Sequence, residues 1–314
     1  MISNTVLLLF SFGLLYFGAN WLVGGASTVA TSLRLSKVIV GITLVAFGTS
    51  APELFVNLVA AYHGHSGIAL SNVSGSNLAN LCVGYGICAF LGNLLIQRNK
   101  FKLDLIYFFA APLLIVLFLV VFPKKQIPVW ATIFLLPLLV SYLLSVKNRL
   151  YEEEAQLVKT YKMDLLKGFF VFIAGVVTLY LGGELVLQTI LQLGKHFGIS
   201  EAVLGLTFVA IGTSLPDIMA SIIAMKKNEI SIAVGNILGS NIFNSLLVIS
   251  GSLIVSWKGL NANRSIIMDY SMVTILSLSF VVIVLLRQRV GHILGFLLLL
   301  AYFTYMLFRL RFLS

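Results

Sequence analysis

The chain has 314 residues, of which 59% are hydrophobic and 10% charged, and its formal net charge is +10. Soluble domains carry about a quarter charged residues, so this composition excludes a soluble globular protein and makes the lipid bilayer the solvent. The 21 Lys and Arg residues are scattered between apolar runs. We therefore interpret them as loop charges that orient the chain in the membrane, and we expect no nucleic-acid-binding surface.

Ten apolar runs of bilayer length follow one another along the chain. The one strongly polar stretch, residues 146–164, comes after the fifth run and separates two sets of five. We therefore predict an all-α membrane protein of ten transmembrane helices, with a first repeat at 1–145, a linker at 146–164 and a second repeat at 165–314. The runs fall at residues 3–25, 38–61, 67–96, 104–122, 127–146, 165–190, 199–224, 231–256, 268–286 and 291–308.

The distribution of positive charge predicts the orientation of these spans. The links after spans 1, 3, 5, 7 and 9, together with Lys167 at the start of span 6, hold two thirds of the 21 Lys and Arg residues. Cytoplasmic links carry the excess of such residues. We therefore predict a multi-pass protein of the inner (plasma) membrane, with both termini on the non-cytoplasmic side and the central linker in the cytoplasm.

The two halves resemble each other in sequence. A shift of 164 residues lays GITLVAFGTSAPE (Gly41–Glu53) over GLTFVAIGTSLPD (Gly205–Asp217), and SNVSGSNLAN (Ser71–Asn80) over GNILGSNIFN (Gly235–Asn244). Sixteen of the forty positions from 41 to 80 are identical, and many of them are polar, Gly or Pro. Because each half has an odd number of spans, the second copy enters the bilayer from the opposite side. The chain is therefore predicted to contain two inverted five-helix repeats, as many secondary transporters do.

Three acidic residues lie inside apolar runs, and two of them, Glu53 and Asp217, are equivalent under the shift. The other eight, Asp104 and Asp269 among them, are expected at loops or span edges. A carboxylate near the bilayer centre costs about 2.5–3.5 kcal/mol, and the nearest spans supply no Lys or Arg at comparable depth. Such an anion must be protonated, hydrated or bound to a mobile cation. The alternative is a pair of neutral acids that hydrogen-bond between helices.

Further oxygen atoms accompany both acids. Hydroxyls one turn earlier share a helix face with each carboxylate, and a proline beside each acid leaves the carbonyl oxygen four residues back without its helical partner. On the next span of each half, Asn and Ser recur at spacing four and form one stripe. These residues are Thr49, Ser50, Thr213 and Ser214, the prolines Pro52 and Pro216 with the carbonyls of Gly48 and Gly212, and the stripes Asn72, Ser76, Asn80 and Asn236, Ser240, Asn244.

Carboxylate, hydroxyl, amide and carbonyl oxygens suit calcium, sodium or magnesium rather than copper or zinc. Magnesium sheds water reluctantly, so a cage of protein oxygens favours calcium with sodium as its competitor. Small and amide residues also hold membrane helices together, and this structural role remains an alternative for Asn72 and Asn236. The third intramembrane acid, Glu184, aligns with Asn20 in the other half, so a packing or gating contact is favoured over a ligand role.

The doubled motif GTSAPE with SGSNLAN, and GTSLPD with LGSNIFN, resembles the two alpha repeats of the sodium/calcium exchanger family. The resemblance implies a compact prokaryotic member with cation sites between spans 2, 3, 7 and 8. It also implies alternating access by sliding of spans 1 and 6. Carried onto this chain, it implies Glu53 and Asp217 as central carboxylates. The other implied ligands are the side chains of Thr49, Ser50, Thr213, Ser214, Ser76, Ser240, Asn80 and Asn244, with the carbonyls of Ala46 and Ala210.

The predicted function is therefore secondary antiport that exports calcium against inward sodium. Asn244 stands where potassium-dependent and archaeal relatives carry an aspartate, so no potassium requirement is expected. The expected partners are calcium and sodium ions and the bilayer, with no cofactor, no enzymatic activity and no obligate protein partner. Exchange of protons for calcium or another divalent ion remains an alternative. A passive cation channel and an intramembrane enzyme are less favoured alternatives.

Overall fold

A computed structural model describes residues 2–92, 94–122, 125–150, 162–196, 210–287 and 289–312. The described chain is helical apart from four strands of two residues each, which the sequence did not predict. The helices, numbered in chain order, are α1 Ile2–Leu33, α2 Lys37–Val40, α3 Ala46–Thr49, α4 Ala51–Tyr62, α5 Ser66–Leu78, α6 Tyr85–Leu91, α7 Arg98–Val121, α8 Thr132–Leu150, α9 Lys162–His196, α10 Ala210–Lys226, α11 Ile230–Phe243, α12 Ile249–Ser256, α13 Arg264–Arg287 and α14 His292–Phe312.

Seven helical segments of the described residues are long and apolar enough to cross a membrane. Helices α2 to α4 together make an eighth, bent by 45°. The prediction of a helical membrane protein is thereby confirmed. Ten spans stay a prediction, since the third predicted span is not among the eight and residues 199–209 of the seventh lie outside the described residues. Of the predicted linker, residues 146–150 belong to α8, residues 162–164 belong to α9, and residues 151–161 lie outside the described part.

Helix interruptions occur at the polar motifs. The second predicted span breaks at Ser50, and Pro52 occupies the first turn of α4, where its missing N–H costs no helical hydrogen bond. Its equivalent, Pro216, lies inside the continuous helix α10. Wide π-helical turns replace regular helix at Gly41–Val45, Ala79–Gly84 and Asn244–Val248. The last two turns correspond under the 164-residue shift, and such turns are frequent at functional sites.

Two short antiparallel ladders join the halves. Strand β1, Leu94–Leu95, pairs with β4, Arg289–Val290. Strand β2, Gln126–Ile127, pairs with β3, Leu260–Asn261. The 164-residue shift moves β1 next to β3 and β2 next to β4, so it exchanges one ladder for the other. This exchange agrees with a pseudo-two-fold relation between the halves.

The long helices α1 and α9 pack against each other in antiparallel orientation through glycines spaced seven residues apart. A Cβ atom added at Gly18 would lie 2.7 Å from the backbone nitrogen of Leu179, and one at Gly175 would lie 2.3 Å from that of Leu22. Such distances require the two backbones to be in direct contact. These are the helices of spans 1 and 6, for which the family resemblance implies sliding.

Replacing Gly175 by Ala is expected to lower the stability of the protein by about 1–3 kcal/mol, the usual cost of overpacking. The added methyl group would meet the backbone of Leu22, which cannot rotate away. Thermal unfolding in detergent measures the effect. Gly13→Ala is the matched control, because no atom lies within 4 Å of a Cβ atom at Gly13. Equal melting temperatures for the two variants would contradict this packing.

Two acidic residues expected at loops or span edges lie near the beginning of their helices and are buried in ion pairs, which the sequence did not predict. Asp104 on α7 is fully buried and pairs with Arg149 of α8, at 2.7 and 2.9 Å. Asp269 on α13 is fully buried and pairs with Arg309 of α14 at 2.7 Å. Each arginine comes from the far end of a neighbouring helix. Linear sequence separates the partners by about 40 residues, and only the packing of antiparallel helices brings them together.

Candidate cation site

Glu53 and Asp217 come together in the core of the protein. Glu53 lies in the first turn of α4 and Asp217 near the middle of α10, and neither side chain is exposed. A chain of hydrogen bonds links them: Thr49, one turn before Glu53, donates to Asn236, which donates to the carbonyl oxygen of Asp217. Neither acid is in an ion pair within the described part of the chain, where three cationic side chains pair with other acids. Those pairs are Lys37 with Glu229, Arg149 with Asp104, and Arg309 with Asp269.

Asp217 is held by hydrogen bonds from two other helical segments. The Nδ2 atom of Asn80 donates to its Oδ2 at 2.6 Å, and the Ser240 hydroxyl donates to its Oδ1 at 2.9 Å. The Thr49 hydroxyl lies close enough to interact with the same carboxylate. Asn80 and Thr49 belong to the first half, whereas Asp217 and Ser240 belong to the second. The site is therefore built across the interface of the two repeats.

Glu53 is as deeply buried as Asp217, but its carboxylate lacks comparable hydrogen bonds. Neither of its carboxylate oxygens receives a hydrogen bond of regular geometry, although the Thr213 hydroxyl is close enough to interact with it. Buried oxygens are rarely left in this state. Further side-chain oxygens of the predicted set also have no hydrogen-bond partner within the described residues. They belong to Ser50, Ser214, Asn80 and Asn244.

The predicted supporting asparagines form a second layer that positions the threonines. Thr49 donates to Oδ1 of Asn236 at 3.0 Å, and Thr213 donates to Oδ1 of Asn72 at 3.2 Å. These two contacts are equivalent under the 164-residue shift and connect opposite halves. Ser76 contacts the Thr213 hydroxyl at 3.3 Å. Asn72 and Asn236 therefore have the interhelical role that the sequence left open for them.

The two predicted backbone ligands are the carbonyl oxygens of Ala46 and Ala210. The carbonyl oxygen of Ala46 already accepts hydrogen bonds from Ser50 N at 3.0 Å and from the Thr49 hydroxyl at 3.3 Å. Ala210 begins α10, directly after the residues outside the described part. Gly239 packs within 2.6 Å, measured from an added Cβ atom, of the carbonyl oxygen of Ile42. This glycine lets α11 approach the π-helical turn that precedes Ala46.

Sequence reasoning missed Asn57 and Ser221. Each lies one helical turn after a central carboxylate and is fully buried. Asn57 Nδ2 donates to the carbonyl of Glu53 at 2.7 Å, and the Ser221 hydroxyl donates to the carbonyl of Asp217 at 2.9 Å. Their equivalence under the shift is the signal that predicts them. They position the helix backbone that carries each acid.

The oxygen set fits a cation chemically. Two buried carboxylates and several uncompensated hydroxyl and amide oxygens converge, and the described residues contribute no positive charge to them. Hard oxygens in flexible geometry are the ligands that calcium and sodium prefer. The arrangement can therefore bind either one divalent ion or monovalent ions.

Comparison with known proteins gives the family. The model of the sodium/calcium exchanger protein family matches the chain twice, at residues 3–147 and 167–311. The chain belongs to the sodium/calcium exchanger protein family. The two matches begin and end 164 residues apart, which is the shift that aligns the halves. The resemblance carried by the GTS-x-P and GSN motifs is thereby confirmed.

Individual proteins agree with this assignment. The chain is 32% identical over 263 residues to the putative antiporter CaxA of Alkalimonas amylolytica, covering 82% of each protein. It is 27% identical over 290 residues to the sodium/calcium exchanger MaX1 of Methanosarcina acetivorans, covering 78% of this chain and 81% of the relative. A structure of the sodium-calcium exchanger NCX_Mj soaked with sodium and strontium superposes with a TM-score of 0.82, at 26% identity and with 96% and 97% coverage. This exchanger is therefore a membrane cation/calcium antiporter and a transporter rather than an enzyme.

Proposed function

We propose that this exchanger moves calcium across the membrane in exchange for sodium by alternating access. The observation that supports the proposal is the pair of buried carboxylates, Glu53 and Asp217, which no Lys or Arg of the described residues neutralises. A charge of minus two balances one calcium ion or two sodium ions. Competition for the same oxygens couples the two ions, because occupancy by one excludes the other.

The ligands follow from the same geometry. Glu53 and Asp217 would hold calcium between the halves, with hydroxyls and amides from spans 2, 3, 7 and 8 completing the shell. The proposed side-chain ligands are Thr49, Ser50, Ser76, Asn80, Thr213, Ser214, Ser240 and Asn244, and the proposed backbone ligands are the carbonyls of Ala46 and Ala210. The relatives named above include exchangers of sodium and calcium, which supports this choice of ions.

The finer features of transport are part of the proposal. Ten transmembrane helices and both termini on the non-cytoplasmic side are supported by the repeat and by the Lys and Arg distribution. Export of calcium from the cytoplasm is the direction that an inward sodium gradient would drive. The proposed location is the inner (plasma) membrane. Asn244 contributes an uncharged amide, so no third carboxylate requires a potassium ion.

Radiotracer calcium flux in proteoliposomes tests the exchange. Vesicles loaded with sodium and diluted into sodium-free buffer are expected to take up calcium, and an equal gradient of potassium is expected to drive none. Uptake driven by a proton gradient in sodium-free buffer would replace the proposal with proton/calcium exchange. Uptake without any counter-ion gradient would indicate a channel.

A further inference from the structure

The third intramembrane acid, Glu184, borders a cavity beside the cation site. The cavity has a volume of about 210 Å³ and lies between α9, α4 and α10. Because α1 and α9 are antiparallel, with Gly182 against Leu15, it lies toward the end of the bundle at which α1 begins. The residues that matter for what it binds are Glu184, Gly183, Gly212, Thr213 and Pro216.

Glu184 is half-buried in the cavity wall. Its described contact is a hydrogen bond to Oε1 from Nε2 of Gln188, at 2.9 Å and one turn along the same helix. Within the described ranges, no Lys or Arg pairs with Glu184 or lines the cavity. A carboxylate at this depth of a membrane helix is costly and marks an ion pathway more often than a packing contact.

The opposite wall supplies two more oxygen atoms. Thr213 lines the cavity and also interacts with Glu53 and Asn72, so its hydroxyl belongs to both the cavity and the central site. Pro216 has no N–H to offer the carbonyl of Gly212, four residues earlier. A Cβ atom at Gly183 would lie 3.6 Å from that carbonyl oxygen and 3.5 Å from Pro216. The absence of a side chain at Gly183 therefore leaves this oxygen uncovered.

The equivalent positions in the other half have different surroundings among the described residues. Asn20 is the equivalent of Glu184, and its carbonyl oxygen accepts a hydrogen bond from Nζ of Lys227 at 2.8 Å. Ala19 and Val23, the equivalents of Gly183 and Leu187, are fully buried. One side of the repeat interface thus presents an acid in a cavity, whereas the other presents a lysine against a packed surface. Of these two positions, the acidic one attracts a cation toward the central carboxylates.

We propose that Glu184, the Thr213 hydroxyl and the Gly212 carbonyl form an entry site that holds one sodium ion before it reaches Glu53. The inference rests on the proposed sodium/calcium exchange and adds a residue that determines the use of sodium. A single carboxylate neutralises one monovalent charge, whereas calcium prefers six to eight oxygens with more negative charge. The shared Thr213 provides continuity between the entry site and the central site.

The kinetic test compares Glu184→Gln with the wild-type chain in proteoliposomes. The sodium concentration for half-maximal exchange is expected to rise by about two- to fivefold, the range of one partly exposed ion pair. The maximal rate and the calcium concentration for half-maximal exchange are expected to stay unchanged. Asp164→Asn is the matched control, because it removes the same charge from the same helix about 30 Å away, at 1.5 Å per residue.

The possible contrary results distinguish failure of the entry site from failure of the proposed function. An unchanged sodium dependence in Glu184→Gln overturns the entry site, and so does an equal shift for sodium and calcium, which would indicate a general attraction of cations. Wild-type vesicles that lack sodium-driven exchange reject the proposed function instead.

Chemical labelling gives a second readout that needs no transport. Leu187 lines the same cavity, and Cys82 and Cys88 are fully buried, so Leu187→Cys, which keeps Glu184, can be studied with a membrane-impermeant cationic methanethiosulfonate in the natural sequence. The reagent is expected to modify Cys at this position from the side on which the chain begins, and sodium is expected to slow the reaction relative to choline. Modification at equal rates in both salts overturns the site.

Discussion

Calcium transport is expected to fall by about 100-fold or more when Glu53 is replaced by Gln, because the contact of a cation with a carboxylate is worth about 4 kcal/mol at the effective dielectric constant of a protein. The amide keeps the size of the side chain but removes half of the negative charge that balances calcium. Neither oxygen of Glu53 receives a regular hydrogen bond from the described residues, which agrees with the proposal that a cation is the principal partner of this carboxylate. Sodium-driven radiotracer calcium uptake measures the loss.

The fold of this variant is expected to persist, since a neutral amide costs less to bury than an unpaired carboxylate. Its melting temperature in detergent is therefore expected to equal or exceed that of the wild type. Calcium is expected to raise the melting temperature of the wild type by mass action and to leave that of Glu53→Gln unchanged. Asp164→Asn serves as the control for charge. Sodium-coupled uptake at the wild-type rate in Glu53→Gln would refute the role of this carboxylate.

The largest loss of stability is expected when Arg309 is replaced by Met. Asp269 is fully buried and Arg309 is 3% exposed, so the substitution leaves a buried carboxylate with only the Tyr305 hydroxyl, at 2.6 Å. Removing one partner of a buried ion pair costs about 3–5 kcal/mol. Equilibrium unfolding in mixed micelles, followed by tryptophan fluorescence, measures the change.

A double-mutant cycle separates the pair from its surroundings. Arg309→Met combined with Asp269→Asn is expected to recover much of the loss, because the second change removes the uncompensated charge. Lys37→Met is the matched control, since Lys37 is 46% exposed in its pair with Glu229 and exposed pairs contribute about 1 kcal/mol or less. Additive losses in the cycle, or equal losses for Arg309→Met and Lys37→Met, would contradict a stabilising buried pair.

The sequence predicted the components of the cation site because chemistry and symmetry both leave traces in it. An acid in an apolar run is expensive wherever the chain folds, so Glu53 and Asp217 are conspicuous without coordinates. The 164-residue shift then identifies the hydroxyls and amides that accompany each acid. The same shift also relates Asn57 to Ser221, one turn after the two acids, outside the repeated motifs.

The different states of the two acids were not predictable in this way. The shift makes Glu53 and Asp217 equivalent, yet Asp217 receives hydrogen bonds from Asn80 and Ser240 while Glu53 receives none of regular geometry. The sequence alignment makes the two halves equivalent, whereas a single conformation of an inverted repeat gives them different surroundings. The cavity beside Glu184 and the packed surface beside Asn20 differ for the same reason.

The sequence by itself determined that this protein crosses the membrane, that it repeats itself and that two buried acids lie at equivalent positions, because solvent preference and internal homology are local properties of the chain. Tertiary structure alone decided that Asp104 and Asp269 find arginines, that α1 contacts α9 through glycine, and that Glu184 faces the same cavity as Thr213. Those contacts join residues far apart in the chain, and their formation depends on how the helices pack.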